Sequence, residues 1–442
     1  MHTAKESLLT PHYLFKQTWP MVLGVLALMS YQLVDAAWIA LLGVDPLAAL
    51  GFTVPVQQLI IGFQVGLGIA TTAIISRTLG ANDLDKARQQ GRLILFAGLA
   101  LLALLMLSLW LLRPLILVFL GADAELRPLI DAYWAPWLLS AWLGGVLYLG
   151  YSQHRAQGDN RFPGLMMLLV SLINLALDPL FIFTFGWGLP GAAWATVAAF
   201  TFGCLMTFPR IISNGWISGK LSAINIYSEL QRLLGTAGPA MLSQLMPAAS
   251  ALLATSLVAG YGTAAVAAWG LGTRLEFFSI VVVLALTMSM PPLLGRFAGA
   301  GDWESVEKLI RLAVRFVILW QLAIALIWLL LSQPLAGLIT EEAGVAELVQ
   351  AYLLKLPVSY AALGVCMLMV SACNAVGMPL RGLATSIVRL FACYLPCLWL
   401  GAQLGGIHGL FTGALIGNLF AGSLAWLVFQ KGLQQQKALS CV

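Results

Sequence analysis

The stretch "RTLGANDLDKARQQGR", residues 77–92, returns 219 positions later as "RFAGAGDWESVEKLIR", residues 296–311. Arg77, Gly80, Asp83 and Arg92 fall on Arg296, Gly299, Asp302 and Arg311. The same shift lays Pro20 over Pro239, Gly51 over Gly270 and "LAALG" (47–51) over "VAAWG" (266–270), with no gap across more than seventy residues. Farther on, "QGDNRFP" (157–163) has a looser echo in "AVGMP" (375–379). The chain is a duplicated unit, and self-similarity at a fixed offset constrains a fold more than any single segment does.

Composition says what the unit is made of. Of the 442 residues, 60% are hydrophobic and only 9% are charged, with a mean hydropathy of +0.92. Soluble domains carry about 25% charged residues, so this is the composition of an integral membrane protein. The 43 glycines and 15 tryptophans fit close helix packing in lipid and anchoring at its interfaces. The first apolar run is too long for a signal peptide and lacks a small-residue cleavage site. The cysteines (Cys204, Cys366, Cys373, Cys393, Cys397 and Cys441) show no CxxC pair and no Cys/His metal spacing, and read as small packing residues.

Counting runs of about 20 apolar residues predicts an all-α integral membrane fold of twelve transmembrane helices. In the first half they cover roughly 15–42, 50–76, 93–120, 130–153, 164–186 and 189–212. In the second they cover roughly 232–259, 263–295, 309–332, 348–373, 380–403 and 407–430. The polar stretch 213–229 reads as a cytoplasmic linker between a first lobe, 1–212, and a second, 230–442. With the N-terminus inside, all the Lys and Arg residues except Arg113, Arg127, Lys355 and Arg274 lie in inner loops. The outer loops carry acids such as Asp123, Glu125, Glu341 and Glu342. This positive-inside bias places both termini in the cytoplasm of a bacterial inner membrane, and it accounts for the net charge of +5 without nucleic acid. Six spans per half make the lobes parallel, related by a pseudo-twofold axis along the membrane normal. Alternating-access transporters use that layout around a central site.

Few ionisable residues survive within the spans. Asp35 sits in an apolar run with no base closer than Lys16, and a charge at such a depth costs roughly 2.5 kcal/mol or more to insert. Tyr31 and Asp35 are four apart and share a helix face, with Trp38 three further on. In helix 5, Asn174 and Asp178 are again four apart, and Pro179 then removes an N–H and frees a carbonyl near position 175. Helix 6 adds Thr196. If these helices meet, two carboxylates, an amide, a hydroxyl and a phenol converge. Neighbouring carboxylates in low dielectric cannot both ionise cheaply, so such a pair can hold a proton. The same oxygens of Asp35, Asn174, Asp178 and Thr196 can instead replace the hydration shell of Na⁺.

Other polar residues read differently. Arg274 and Glu276, two apart in helix 8, point to different faces and read as gating or structural residues. Arg389 reads as a side chain snorkelling to the inner interface. Pro20, fifteen residues before Asp35, supplies a place for helix 1 to bend. Gly409, Gly413 and Gly417 form a GxxxGxxxG stripe for close packing. No nucleotide loop, metal cluster or catalytic triad marks an enzyme or calls for a cofactor.

The duplicated twelve-helix pattern, with "YQLVDAAWIA" (31–40) after Pro20, "LAALG" entering helix 2, "AQGDNRFP" (156–163) and the Asn174–Asp178–Pro179 spacing, resembles the multidrug and toxic compound extrusion family. It looks most like the bacterial branch typified by the DNA-damage-inducible protein F. That resemblance implies coupling residues at Tyr31, Asp35, Asn174, Asp178 and Thr196, with Pro20 as the bending proline. The sodium-coupled branch carries second-lobe acids in helices 7 and 10, and neither helix has one here. The implied activity is proton-coupled export of bulky, often cationic drugs, with Na⁺ coupling as the alternative and the protein expected as a monomer in the bilayer. Met21 and Trp38 are candidates for the drug pocket. A lipid or oligosaccharide flippase fits less well, because only Arg274 offers a clear cation at depth.

Overall fold

The computed structural model describes residues 9–122, 125–218, 224–339 and 342–440. Asp123, Glu341, Cys441 and part of the 213–229 linker lie outside the described residues. The chain runs through α1 (Pro11–Ala40), α2 (Val44–Gly80), α3 (Leu84–Leu111), a short helix Arg113–Phe119 and α4 (Arg127–Ala156). Next come α5 (Arg161–Pro179, extended by a π-helical segment Leu180–Thr184), α6 (Gly188–Ser213) and α7 (Ile226–Ala259). Helix α8 is Thr263–Ser279, Val281–Ser289 and Pro291–Gly299 in series, followed by α9 (Trp303–Ile339) and α10 (Ala343–Ala375). Pro379–Val388, a π-helical segment Arg389–Tyr394 and the start of Leu395–Ser440 make α11, at 379–404. Gly405 (φ −145°) and Gly406 (φ 58°) break the helix there, so 407–440 forms α12.

Twelve helical rods result, as the spacing predicts. The described residues hold ten stretches long and apolar enough to cross a membrane, the last running through both α11 and α12. Helix α4 is outside that set and carries Arg127, Asp131, His154 and Arg155 along its length.

The duplication is written into the backbone. Left-handed φ angles at Gly43 (118°), Asn82 (61°) and Gly158 (87°) recur 219 residues later at Gly262 (96°), Gly301 (72°) and Gly377 (91°). Residues lacking Cβ strain, or able to bond locally, are needed at such turns. Asp83 accepts the Lys86 N–H (3.0 Å) to cap α3, and Asp302 accepts the Ser305 N–H (3.2 Å) to cap α9 in the same way.

Helix α8 departs from the single span expected over 263–295. It breaks at Ile280 and again before Pro291, which has no N–H to continue the ladder. The freed Ser279 carbonyl accepts Gln321 Nε2 (3.1 Å), and the Ser279 hydroxyl accepts Trp328 Nε1 (2.8 Å). The break is therefore satisfied by α9.

The chain divides into two compact units, Gln17–Met241 and Met1–Lys16 with Leu242–Val442, so the divisions fall inside α1 and α7. In the first unit, one core gathers Ile60, Leu109, Ile130, Trp134 and Leu189, and another gathers Leu67, Ile74, Leu102, Leu149 and Leu233. In the second, Leu14 joins a core with Val283, Leu294, Ile310 and Phe429, and Tyr352, Leu356, Leu398 and Phe411 form the other.

Candidate functional site

In the first unit, helices α1, α4, α5 and α6 bring polar groups to one place inside an apolar bundle. Asp178 and Asn174 are completely buried, at 0% and 1% exposure. Asn174 Nδ2 donates to Asp178 Oδ1 (3.3 Å) and to Thr196 Oγ1 (3.2 Å). The Thr196 hydroxyl donates its own proton to the Ala192 carbonyl (3.1 Å), which leaves its lone pair for Asn174. One amide therefore links α5 to α6 and orients the Asp178 carboxylate.

Asp35, on α1, lies within electrostatic reach of Asp178, and so does Tyr31. Tyr31 also feels Asp35, so the α1 pair and the α5 acid share one environment. Asp35 Oδ1, Asp178 Oδ2 and Asn174 Oδ1 are buried and find no hydrogen-bond partner among the described residues. A buried polar atom left unsatisfied costs about 1–3 kcal/mol, and more when charged. Three such oxygens in one environment suit a proton or a dehydrated cation. The π-helical turn begins two residues after Asp178, directly behind Pro179, and widened turns of this kind occur frequently at functional sites. Its Phe183 ring meets the edge of Trp38 from α1 (5.9 Å between centroids, 71°).

Tyr133 of α4 completes the group and escapes sequence reasoning. It is buried (5% exposed) and within electrostatic reach of Asp35, Tyr31 and Asp178. In the sequence it belongs to the aromatic run "AYWAPW" (132–137), which reads as an interface anchor or core. The usable signal is a phenol on a buried span, because its hydroxyl must find a polar neighbour.

Pro20 lies within α1 about 22 Å from Asp35 along the axis, at 1.5 Å per residue. It sits where α1 and α5 meet at backbone distance. A Cβ on Gly164 would collide with the Pro20 carbonyl, and a Cβ on Gly24 would lie 2.8 Å from the Gly164 oxygen. Met21 is completely buried, so it does not line an open pocket as proposed from sequence.

Arg274 and Glu276 belong to the second unit. Arg274 is exposed, and Glu276 accepts the Tyr352 hydroxyl (3.0 Å) rather than pairing with it. Arg389, read from sequence as a snorkelling residue, instead stands in a π-helical segment within electrostatic reach of Glu276.

The "AQGDNRFP" loop is built around Asp159. Its Oδ1 accepts the Phe162 N–H (3.1 Å), and its Oδ2 faces His154 Nδ1 (3.3 Å) and Arg210 (4.0 Å). Burial pushes the Asp159 carboxyl up, but the His154 and Phe162 hydrogen bonds, with the charges of His154 and Arg210, outweigh it and hold the group below the usual carboxylate range.

The MatE family model matches the chain twice, over residues 20–180 and 239–400. This chain belongs to the MatE family. The two matches start 219 residues apart, the offset of the internal repeat. Membership in the MatE family makes the protein a multi-pass membrane transporter. The chain is similar to the FAD transporter of Shewanella oneidensis, at 30% identity over 96% of this chain and 95% of that one. It is similar to the multidrug export protein MepA of Staphylococcus aureus, at 25% identity over 92% and 91%. Among solved structures it resembles the Vibrio cholerae MATE transporter VcmN in the bent form, at 50% identity, TM-score 0.96 and 99% coverage of each chain. A D35N mutant of VcmN aligns with TM-score 0.95 over 98% of each chain, again at 50% identity.

Proposed function

We propose that this MatE protein is a proton-coupled multidrug efflux antiporter that exports bulky, often cationic amphipathic compounds by alternating access. The observation that carries this reading is the pair Asp35 and Asp178, each with one buried oxygen that has no partner among the described residues, while the two groups interact. Inward-moving H⁺ neutralises Asp35, and Asp178 with it. Helix α1 then bends at Pro20, and the drug leaves. Asn174 and Thr196 hold Asp178 in place, while Tyr31 and Tyr133 face the acids. Support comes also from the relatives: MepA is named a multidrug export protein, and the VcmN structures include a bent form and a D35N mutant.

The membrane is the bacterial inner membrane, with both termini cytoplasmic, working lobes 1–212 and 230–442, and a linker at 213–229. Na⁺ coupling through Asp35, Asn174, Asp178 and Thr196 is the alternative, because the same oxygens suit a hard cation. A second substrate reading, a flavin dinucleotide, is favoured by the name of the Shewanella relative. Purified protein in proteoliposomes decides among these. A cationic dye should move under a pH gradient without Na⁺, and not under a Na⁺ gradient alone. Transport that requires Na⁺, or that moves FAD and ignores the dye, overturns the reading.

A further inference from the structure

The second unit has lost the acids of the first: the repeat offset places Ala254 at the position of Asp35, and α7 from 242 onward has no ionisable residue. It has gained another. The turns Gly43/Gly262, Asn82/Gly301 and Gly158/Gly377 fix the offset at 219 on both sides of α2 and α4. Within that frame Tyr133 corresponds to Tyr352, and Gln57 corresponds to Glu276. In the first unit Gln57 Oε1 accepts Trp137 Nε1 (3.0 Å), while Tyr133 faces the Asp35–Asp178 pair. In the second unit Glu276 Oε2 accepts the Tyr352 hydroxyl (3.0 Å), so the repeated tyrosine again faces a carboxylate, reached from a different helix.

Glu276 is faced by groups from two other helices. Tyr352 and Tyr360 face it from α10, and Tyr394 and Arg389 face it from α11. Arg274, on its own helix, is exposed, and α9 carries no ionisable side chain between 316 and 338. No described basic group lies within ion-pair distance of Glu276, and the residue is half-buried while Tyr352 and Tyr360 are fully buried. The carboxylate's own helix and one of its neighbours have defects near it: α8 breaks at Ile280, four residues on, and α11 is π-helical over Arg389–Tyr394. In the first unit, Asp178 likewise abuts a proline and a π-helical turn.

We infer that Glu276 is a second proton-binding carboxylate, holding its proton beside the Tyr352 hydroxyl and exchanging it independently of the Asp35–Asp178 pair. The test is infrared difference spectroscopy on the full-length protein in lipid, between about pH 6 and about pH 8, where ordinary carboxylates stay ionised. Glu276→Gln restores the repeat's own glutamine at this position, which favours a folded variant. It should remove one component of the protonated-carboxyl C=O band. Tyr352→Phe keeps the carboxyl and should move that component in frequency by deleting its hydrogen bond. Asp35→Asn should leave the component in place. A Glu276→Gln spectrum superimposable on wild type in the carboxyl region overturns the inference. Loss of the component in Glu276→Gln together with an unchanged Asp35→Asn spectrum keeps it, and sinks the proposed first-lobe coupling instead.

Discussion

Asp35→Asn keeps the size and hydrogen bonding of the side chain but fixes it in an uncharged form. If Asp35 couples transport to protons, the variant inserts normally, holds α1 in its protonated shape and shows no gradient-driven efflux, while Asp35→Glu retains part of the activity with a shifted pH profile. Wild-type drug resistance from the Asn variant at equal expression would contradict the assignment. Asp159 makes a different prediction, about stability. Its carboxyl is held below the ordinary range, so its contribution is present above the unfolded value near pH 4 and is lost as pH falls through the lower folded value. Asp159→Asn should therefore lower thermal stability by about 1 kcal/mol at neutral pH, with the gap from wild type closing in acid. An equal gap at both pH values in a detergent melting series would rule this out. At this scale Asp35 is legible from sequence because a lone carboxylate in an apolar run needs a reason. Tyr133 is not, since a buried phenol shows its partner only once α1, α4 and α5 are placed.

Helices meet at backbone distance where glycine allows it. The Gly24–Gly164 contact presses α1 onto α5 beside Pro20, between the bending element and the helix that carries Asp178. Gly164→Val should push these helices apart, cost about 1–3 kcal/mol by overpacking, and impair transport even though every acid is retained. Unchanged melting temperature and efflux would show that the contact gives way freely. The stripe Gly409, Gly413 and Gly417 behaves as its spacing predicts. A Cβ on Gly409 or Gly413 would strike the carbonyls of Gly401 or Cys397, and one on Gly417 would lie 2.9 Å from Tyr394 Cα. The i, i+4 glycine period shows in the sequence because close packing needs small residues on one face. The break at Ile280 does not, because Ile280 is an ordinary apolar residue and the partner of the Ser279 carbonyl, Gln321, lies 42 positions away.

At the scale of the whole molecule, the distribution of Lys and Arg sets the topology. The capped turns at Asp83 and Asp302 should both face the cytoplasm, as the Lys and Arg distribution requires. Single cysteines at 83 and 302 should resist membrane-impermeant labelling of intact cells and react in inside-out vesicles. Labelling of either from the periplasm would invert the orientation. The two units should also differ in function. Asp35→Asn should abolish drug export, whereas Glu276→Gln should lower it and leave a measurable rate. Equal loss in both, at matched expression, would move the coupling site out of the first lobe.

Duplication, helix count, membrane class and the two solitary acids all followed from sequence, because each rests on a local or periodic signal: a 219-residue offset, runs of about 20 apolar residues, and a charge without a neighbouring base. The tertiary structure alone decided which groups meet those charges. Asn174 bridging to Thr196, Tyr133 turning to the acids, and Glu276 receiving Tyr352 each join different helices, across 22 positions for the first and 76 for the last. In a bundle of apolar rods, rotation of each helix about its axis decides which polar groups meet. That rotation is set by packing against several neighbours at once, information that no single stretch of sequence carries.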